Sequence, residues 1–600
     1  MNRRQVLFVQ LPIPPAGPTP IVGNVPLAAG YMILYARQAR LDKDFEFRIL
    51  PTSTANQGSD SAIVQAILES DPWMVGFTCY LWNIDRTLWI AARLRELRPD
   101  LLVVLGGPEI TVDNAWVYES GCCDYAVIGE GEQTFVALLQ SLQHREDSKE
   151  IIPGLWRASD PRPALFRKPL PDLNEISSPY LAGILDAADE KMLLLETIRG
   201  CIFKCKFCYY PKSYDGLYFV NEEKIVANLR HARERGATEV ILLDPTLNQR
   251  KNFDDFLRLL HRENHDHQFR YFGELRSEGI KPEIAALLRQ ANFTEVEIGL
   301  QSTDAQAQNL MNRKNNLNAF ERGVQSMLDE GIEVKVDLII GLPGDTLSSI
   351  RKSFQYLANS GLYTSVQVFN LAILPGTAFR QESSMLGLEY QSRPPYYLLE
   401  TPTLQLQDLY QLMEEAEEVF ESEWDPYPAP KLQFVKDSEA PFTEWVLIDL
   451  EQVTSSNCPT DVLPKASKRS QAFTLWFTAT NWTSHRSRIL QTIRKVLDDN
   501  PHSTLQIVFQ PQGDPEHLPP PWVAQAIETA FENPNYLDRY YSLQPRGPIG
   551  SKRCLVLLDA SQRDNVDESW LEEIGDSATI VYRGLLDEEE LAPFETSGTW

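Results

Sequence analysis

Three cysteines stand close together in Gly200-Cys201-Ile202-Phe203-Lys204-Cys205-Lys206-Phe207-Cys208, a C-x3-C-x2-C spacing in a chain of 600 residues with eight cysteines. Chance would produce such a triplet with a probability on the order of a thousandth. The other five, Cys79, Cys122, Cys123, Cys458 and Cys554, are scattered or simply adjacent, as small buried hydrophobes usually are. A structural zinc site wants four ligands, commonly as two pairs, and the next histidine after the triplet is His231. Three thiolates instead suit a [4Fe–4S] cube with one iron left open to a ligand. Cys201, Cys205 and Cys208 are therefore the expected metal ligands, with Lys204 and Lys206 moderating the charge.

Such a loop needs a scaffold, and the flanking pattern supplies one. Before it, at 1–145, short apolar runs at 6–11, 45–50, 73–78, 101–105 and 125–128 alternate with helix-like stretches. That alternation predicts a doubly wound, Rossmann-like parallel sheet, whose ligands bind beyond the carboxyl ends of the strands. Those ends are rich in glycine, as in Gly106-Gly107-Pro108-Glu109 and Gly129-Glu130-Gly131-Glu132. Backbone can approach a large ligand closely there, although glycine at a strand end more often just makes the turn. Residues 146–190 are proline-rich and read as a linker. From 191 to 400 six further strand candidates alternate with helices. Six repeats are too few for a closed eight-stranded barrel and enough for a partial (β/α)6, TIM-like one, whose chemistry would sit at the carboxyl ends of its strands. Residues 401–600 read as a small α+β domain, opened by an acidic helix at 404–423 and closed by an acidic tail at 564–595. The whole is an α/β protein.

Composition narrows the partners. Lys and Arg number 56 against 83 Asp and Glu, a formal net charge of -27. That field repels phosphate backbones and anionic lipid heads, so neither nucleic acid nor a membrane surface is an expected partner. With no long apolar run or signal-peptide pattern, a membrane span is not expected and the chain reads as cytoplasmic. Oligomeric state leaves no trace in the sequence.

The cysteine spacing with an aromatic before the third cysteine, on the loop after the first barrel strand, resembles the radical S-adenosylmethionine (SAM) superfamily. Matching strand ends follow in order: Leu243-Asp244-Pro245-Thr246, Glu274-Leu275-Arg276, Glu297-Ile298-Gly299-Leu300-Gln301-Ser302 with Arg313 after it, Asp337-Leu338-Ile339-Ile340-Gly341 and Leu374-Pro375-Gly376-Thr377. Asp244-Pro245-Thr246 stands where the family commonly carries Gly-Gly-Glu. The resemblance implies SAM contacts at Asp244, Glu274, Arg276, Gln301, Ser302, Arg313 and Gly341. With a doubly wound domain in front, the chain is similar to the cobalamin-binding branch of that superfamily, and the strand-end residues Trp82, Asn83, Gly106, Gly107, Glu109, Gly129, Glu130 and Gly131 become its expected cobalamin contacts. The first histidine is His144, so cobalamin would bind base-off with no protein histidine on cobalt. Trp82, in Tyr80-Leu81-Trp82-Asn83, would cover the lower face or pack in the core. A large apolar ring there would exclude water.

The resemblance implies a class B radical SAM methyltransferase. It would methylate an unactivated carbon of a small molecule or of a natural-product or peptide intermediate, through methylcobalamin and a 5′-deoxyadenosyl radical, with electrons from an external donor such as flavodoxin or ferredoxin. Non-methylating chemistry with the same cofactors (cyclisation, ring contraction or oxidation) is the alternative. A cobalamin or iron–sulfur sensor would need no SAM site. A tRNA methylthiotransferase would need three further cluster cysteines, whose spacing Cys79, Cys122 and Cys123 do not give.

Overall fold

The computed structural model describes residues 3–17, 21–143, 151–159, 166–210, 214–432, 440–452, 459–543 and 550–583. Three sheets organise them. Central strands of the first and third carry long buried runs, the pattern of sheets covered on both faces by helices, whereas barrel strands such as Arg270–Leu275 alternate buried and accessible residues.

The first contains β1 (Arg4–Gln10), β2 (Phe45–Ile49), β3 (Met74–Thr78), β4 (Leu102–Gly106), β5 (Tyr125–Val127) and β6 (Leu155–Arg157), in the order β2-β1-β3-β4-β5-β6. The first five are parallel, and the reversal of order beside β1 is the switch point of a doubly wound sheet. β6 pairs antiparallel with β5 and comes from the segment expected to be an irregular linker. Its Trp156 is buried edge-to-face against Tyr118 at 4.9 Å, so the added strand closes an apolar edge.

The second sheet contains β7 (Met192–Leu195), β10 (Glu239–Leu242), β11 (Arg270–Leu275), β12 (Glu295–Gln301), β13 (Glu333–Ile340) and β14 (Ser365–Asn370), all parallel and sequential. These are the six strands of an open partial barrel. Between β7 and β10 a small ladder of β8 (Ile198–Arg199) and β9 (Tyr218–Phe219) ties together the two ends of the cysteine loop. Helices such as Phe253–Glu263 and Leu317–Asp329 bury one apolar face against the strands. Asn221, Asp304 and Thr346 accept hydrogen bonds from the first-turn N–H groups of the helices they precede, which fixes where those helices start. A two-stranded ladder, β15 (Glu389–Tyr390) and β16 (Leu398–Glu400), follows the barrel, and then the acidic helix at Leu406–Phe420.

The third sheet corrects an expectation. Its strands β17 (Thr443–Asp449), β18 (Arg469–Ala479), β19 (Thr504–Pro511), β20 (Lys552–Asp559) and β21 (Thr579–Arg583) are all parallel and run in sequence order. This C-terminal part is α/β rather than α+β, because helices at Arg486–Asp499, Pro520–Ala530 and Glu568–Gly575 supply the crossovers that parallel neighbours require. The acidic tail beyond residue 583 lies outside the described residues. Among those residues, no helix is long and apolar enough to cross a membrane.

The third sheet is docked on the first through a buried ion pair. Arg86 Nε donates to Asp60 Oδ1 at 2.7 Å, and Asp60 Oδ2 accepts the His502 N–H at 2.8 Å. Both side chains are excluded from water. Ser59 and Ser61 add bonds to the backbone at Ala466 and Asp499. Removing one partner of such a pair strands a buried charge. Asp60→Ala should therefore cost about 3–5 kcal/mol, read as a lower urea midpoint. An unchanged midpoint would show that the pair does not hold the two sheets.

A candidate active site at the facing ends of two sheets

The cysteine loop leaves the barrel at β8 and is pinned on every side. Gln249 Nε2 donates to the Gly200 carbonyl at 3.1 Å, and Ile202 N donates to Gln249 Oε1 at 3.1 Å. Asn312 Nδ2 holds the Lys204 carbonyl at 2.9 Å, and Lys206 N reaches the Met311 carbonyl at 2.9 Å. Lys206 itself pairs with Glu382 at 2.7 Å. Gly200 has φ +93°, and a Cβ there would stand 2.1 Å from the Gly216 carbonyl oxygen, so only glycine lets the loop close on itself.

Cys201, Cys205 and Cys208 line one cleft of about 610 Å³. Among the described residues no three His, Cys, Asp or Glu side chains already converge on a metal-sized point; the thiols share a wall. Burial raises the Cys201 thiol and pushes Cys208 up to about 12. Arg313 stands beside them, with Nη1 3.8 Å from Cys205 Sγ and Nη2 donating to the Gly299 carbonyl.

Four of the seven expected SAM residues share this cleft: Glu274, Arg276, Gln301 and Arg313. The β12–β13 register slips between Gly299 and Gln301, and Gln301 takes φ +66°. That irregularity turns its side chain back over Gly299, where a Cβ would lie 2.0 Å from Gln301 Nε2. Gln301 Oε1, Arg313 Nε and Asp337 Oδ1 are buried without a hydrogen-bond partner among the described residues. Unsatisfied polar atoms converging on a cleft mark a place for a polar ligand.

The other three lie elsewhere. Asp244 is buried outside the cleft wall: Oδ1 accepts from Thr197 N at 2.7 Å and Ile198 N at 2.8 Å, and Oδ2 accepts from the Thr197 hydroxyl. It anchors the turn before the cysteine loop, while its neighbours Pro245 and Thr246 line the cleft. Ser302 Oγ accepts from Asp304 N at 3.1 Å. Gly341, at φ +85°, packs beneath Leu398.

Sequence reasoning missed the barrel floor. Glu274 faces Glu297 across β11–β12, Glu297 faces Lys335, and Gly299 faces Asp337, so Glu297 and Asp337 join Glu274 on the cleft wall. Lys335 Nζ lies 3.3 Å from Glu297. Glu274 keeps accessible surface and lines the cleft, and the surrounding protein lifts its carboxyl to about 7, with Glu297 adding to the rise. Asp337 is raised well above the carboxylate range by burial and then by Glu297. Charged residues two apart on otherwise apolar strands were the available signal.

The N-terminal strand ends face this cleft, but several expected cobalamin residues hold the barrel instead. Glu130 and Glu132 each bind Arg199 at 2.9 Å, with Glu196 as its third carboxylate at 2.9 Å. Glu130 also accepts from Leu170 N at 2.7 Å. Glu109 is buried, accepting from the Tyr396 hydroxyl at 2.6 Å and from Asn114 Nδ2 at 3.1 Å. Asp113 accepts the Gly376 N–H at 2.9 Å. Gly107, at φ +110°, lets the Cys79 backbone pass, and Gly129 and Gly131 lie against Phe166 and Met32. The Gly106 carbonyl accepts from Cys79 N at 2.7 Å. Asn83 ties its turn to the Leu11 and Thr78 carbonyls and to Tyr80 N. Trp82 stacks on Tyr80, with ring centroids 4.5 Å apart and planes 8° apart.

The end of the cysteine loop meets the loops of the first sheet. Tyr210 keeps 42% of its surface accessible, yet burial drives its hydroxyl far above its ordinary range, and Glu274, Glu196, Cys208 and Tyr80 are the groups that act on it. Beside it, Gly376 at the end of the barrel packs between Tyr209 of the cysteine loop and Thr111 of the loop after β4.

The Glu109 contact yields a pH prediction. Burial raises its carboxyl from about 4.5 to about 7 against the opposing bonds from Tyr396 and Asn114. The folded chain thus keeps a proton that the unfolded chain has released. Its contribution to stability is complete below the unfolded value and is lost as pH rises through about 7. Urea midpoints taken between about pH 5 and pH 8 should fall less steeply in Glu109→Gln than in the parent; equal slopes would contradict this.

Comparison with known proteins fits this geometry. Residues 195–357 match the radical SAM superfamily and residues 32–139 the B12-binding domain. The chain is similar to the cobalamin-dependent radical SAM methyltransferase TokK of Streptomyces tokunonensis, 24% identical over 399 residues, with 63% of this chain and 58% of the relative covered. It resembles 2-(S-pantetheinyl)-carbapenam-3-carboxylate methyltransferase of Streptantibioticus cattleyicolor at 25% identity over 409 residues, with the same coverage. The chain thus spans 58% of the length of these two relatives. Anaerobic magnesium-protoporphyrin IX monomethyl ester cyclase of Rubrivivax gelatinosus is 25% identical over 399 residues, covering 60% of this chain and 68% of its own. Among solved structures, the cobalamin-dependent SAM radical enzyme OxsB with aqua-cobalamin bound has a TM-score of 0.55 at 13% identity, covering 69% of this chain and 67% of that one. The radical SAM methyltransferase TsrM of Kitasatospora setae, with cobalamin and a [4Fe–4S] cluster, gives 0.51 at 18% identity, covering 67% of this chain and 79% of that one. In this chain the barrel thus carries the match to the radical SAM superfamily and the N-terminal sheet the match to the B12-binding domain.

Proposed function

We propose that this chain is a cobalamin-dependent radical SAM methyltransferase acting on an unactivated carbon of a small molecule or of a natural-product or peptide intermediate. The observation that supports it most is that the carboxyl end of the B12-binding sheet is fastened to the cysteine loop: Glu130 and Glu132 hold Arg199, two residues before Cys201, and Thr111 and Tyr209 meet at Gly376. SAM on the cluster would supply a hydrogen-abstracting radical and cobalamin a methyl group.

The chain's own residues divide the work. Cys201, Cys205 and Cys208 would hold three irons of a [4Fe–4S] cluster, and the fourth would face the cleft. Gln301, Arg313 and Asp337 would satisfy their unpaired atoms on SAM. Its sulfonium and amino charges suit the patch of Glu274, Glu297 and Asp337, and its carboxylate suits Arg276 and Arg313 on the same cleft. Tyr80 and Trp82 would exclude water beneath a base-off cobalamin, with no protein histidine at the metal. A flavodoxin- or ferredoxin-type protein would deliver electrons. The non-methylating alternative has one observation in its favour, the similarity to a relative named as a cyclase.

One assay separates the two. Anaerobic protein with cluster, reductant, cobalamin and SAM should yield both S-adenosylhomocysteine and 5′-deoxyadenosine. The Cys201→Ala, Cys205→Ala, Cys208→Ala triple variant should yield no 5′-deoxyadenosine. Formation of 5′-deoxyadenosine without S-adenosylhomocysteine would favour the cyclase-like alternative, and S-adenosylhomocysteine alone would refute the radical step.

A further inference from the structure

The C-terminal sheet carries no cofactor motif, yet one of its helices reaches the loop assigned to cobalamin. Helix Tyr536–Tyr541 places Tyr536, Leu537 and Tyr541 in an apolar cluster against Leu81 and Trp82. From the same helix Arg539 binds the Asp85 carboxylate, three residues after Trp82 and in the first turn of helix Ile84–Leu97. Its other donors are also committed: Nε to the Pro394 carbonyl at 2.6 Å and Nη1 to the Pro534 carbonyl at 2.9 Å. Arg393, from the segment after the barrel, approaches Asp85 at 3.7 Å. Side chains of Arg539 and Asp85 are largely shielded from water, which strengthens their attraction. One guanidinium thus joins the B12-binding domain, the end of the barrel and the C-terminal domain beside Trp82.

We infer that the C-terminal domain is part of the cobalamin site and that Arg539 is its positioning residue, fixing the Tyr80–Trp82 ring pair at the height the lower corrin face requires. The inference rests on the proposed role of Trp82. Since none of the side chains of Tyr80, Leu81 and Trp82 would ligate the cobalt, the position of the rings would be set by what packs behind them. Behind Trp82 stand Tyr536 and Tyr541, and Arg539 sets the angle of their helix. Arginine suits this place because its planar fork serves a carboxylate and two carbonyls at once, which a lysine cannot do.

The test uses the full-length protein with its cluster reconstituted, in Arg539→Gln, Arg539→Lys and Trp82→Ala forms. Cobalamin affinity is read by absorbance titration, the Co(II) environment by electron paramagnetic resonance, and iron by chemical assay. Arg539→Gln should bind cobalamin about 10-fold more weakly with an altered Co(II) spectrum at unchanged iron content; Arg539→Lys should recover part of the affinity. Arg539→Gln with parental affinity and spectrum, while Trp82→Ala alters both, would overturn this inference alone. Parental behaviour in Trp82→Ala would instead overturn the role given to Trp82. Joint loss of iron and cobalamin in Arg539→Gln would mark the residue as a general fold contact and also refute the inference.

Discussion

The architecture turns on the guanidinium of Arg199. It is 7% exposed and meets three carboxylates, Glu130 and Glu132 from the turn after β5 and Glu196 from the end of β7. The next residues are Gly200 and Cys201. Whatever fixes Arg199 fixes the start of the cysteine loop, and two of its three anchors belong to the B12-binding domain. A buried cation with one of these partners removed would be left short of compensation. Asp113 on the Gly376 N–H and Glu109 on Tyr396 repeat the arrangement: an acid near the carboxyl end of the first sheet, bonded to the second body. The domains are held with their strand ends facing each other, which is the placement two cofactors sharing one substrate would need.

Inside the barrel three acids gather on the strands, with Arg276 and Arg313 lining the same cleft. Glu274, Glu297 and Asp337 face one another across three strands with Lys335 among them, and burial raises Glu274 and Asp337 rather than leaving them comfortably ionised. This acidic patch suits a cation, because an incoming positive charge favours the ionised acids and relieves their mutual repulsion, while the two arginines suit an anionic group. The polar atoms left unpaired at Gln301, Arg313 and Asp337 sit on the same wall, so charge and hydrogen-bonding capacity are unsatisfied at one place.

Much of this was legible in the sequence because it rested on period and spacing. The alternating apolar runs gave two parallel sheets, and the cysteine triplet located the loop after the first barrel strand. Glu274, Arg276 and Gln301 were recoverable as cleft residues because they stand at strand ends, and Arg313 through the resemblance, since it lies in a loop between two helices. What escaped depends on contacts between segments far apart in the chain. Glu130 looked like part of a ligand-binding turn, and nothing local announces that its partner is Arg199, 69 residues on. Asp244 stood in a motif position but spends both oxygens on Thr197 and Ile198. The parallel order of the C-terminal strands was hidden because connections of 19 to 40 residues between them accommodate either a crossover or a return.

The central claim is that the cysteine cleft and the B12-binding sheet serve one active site. Its most direct test is the magnetic interaction between Co(II) and the reduced cluster in protein loaded with both, measured by electron paramagnetic resonance. Facing strand ends predict that the two paramagnets broaden and relax each other. A spectrum equal to the sum of those from protein loaded with each cofactor alone would contradict the account.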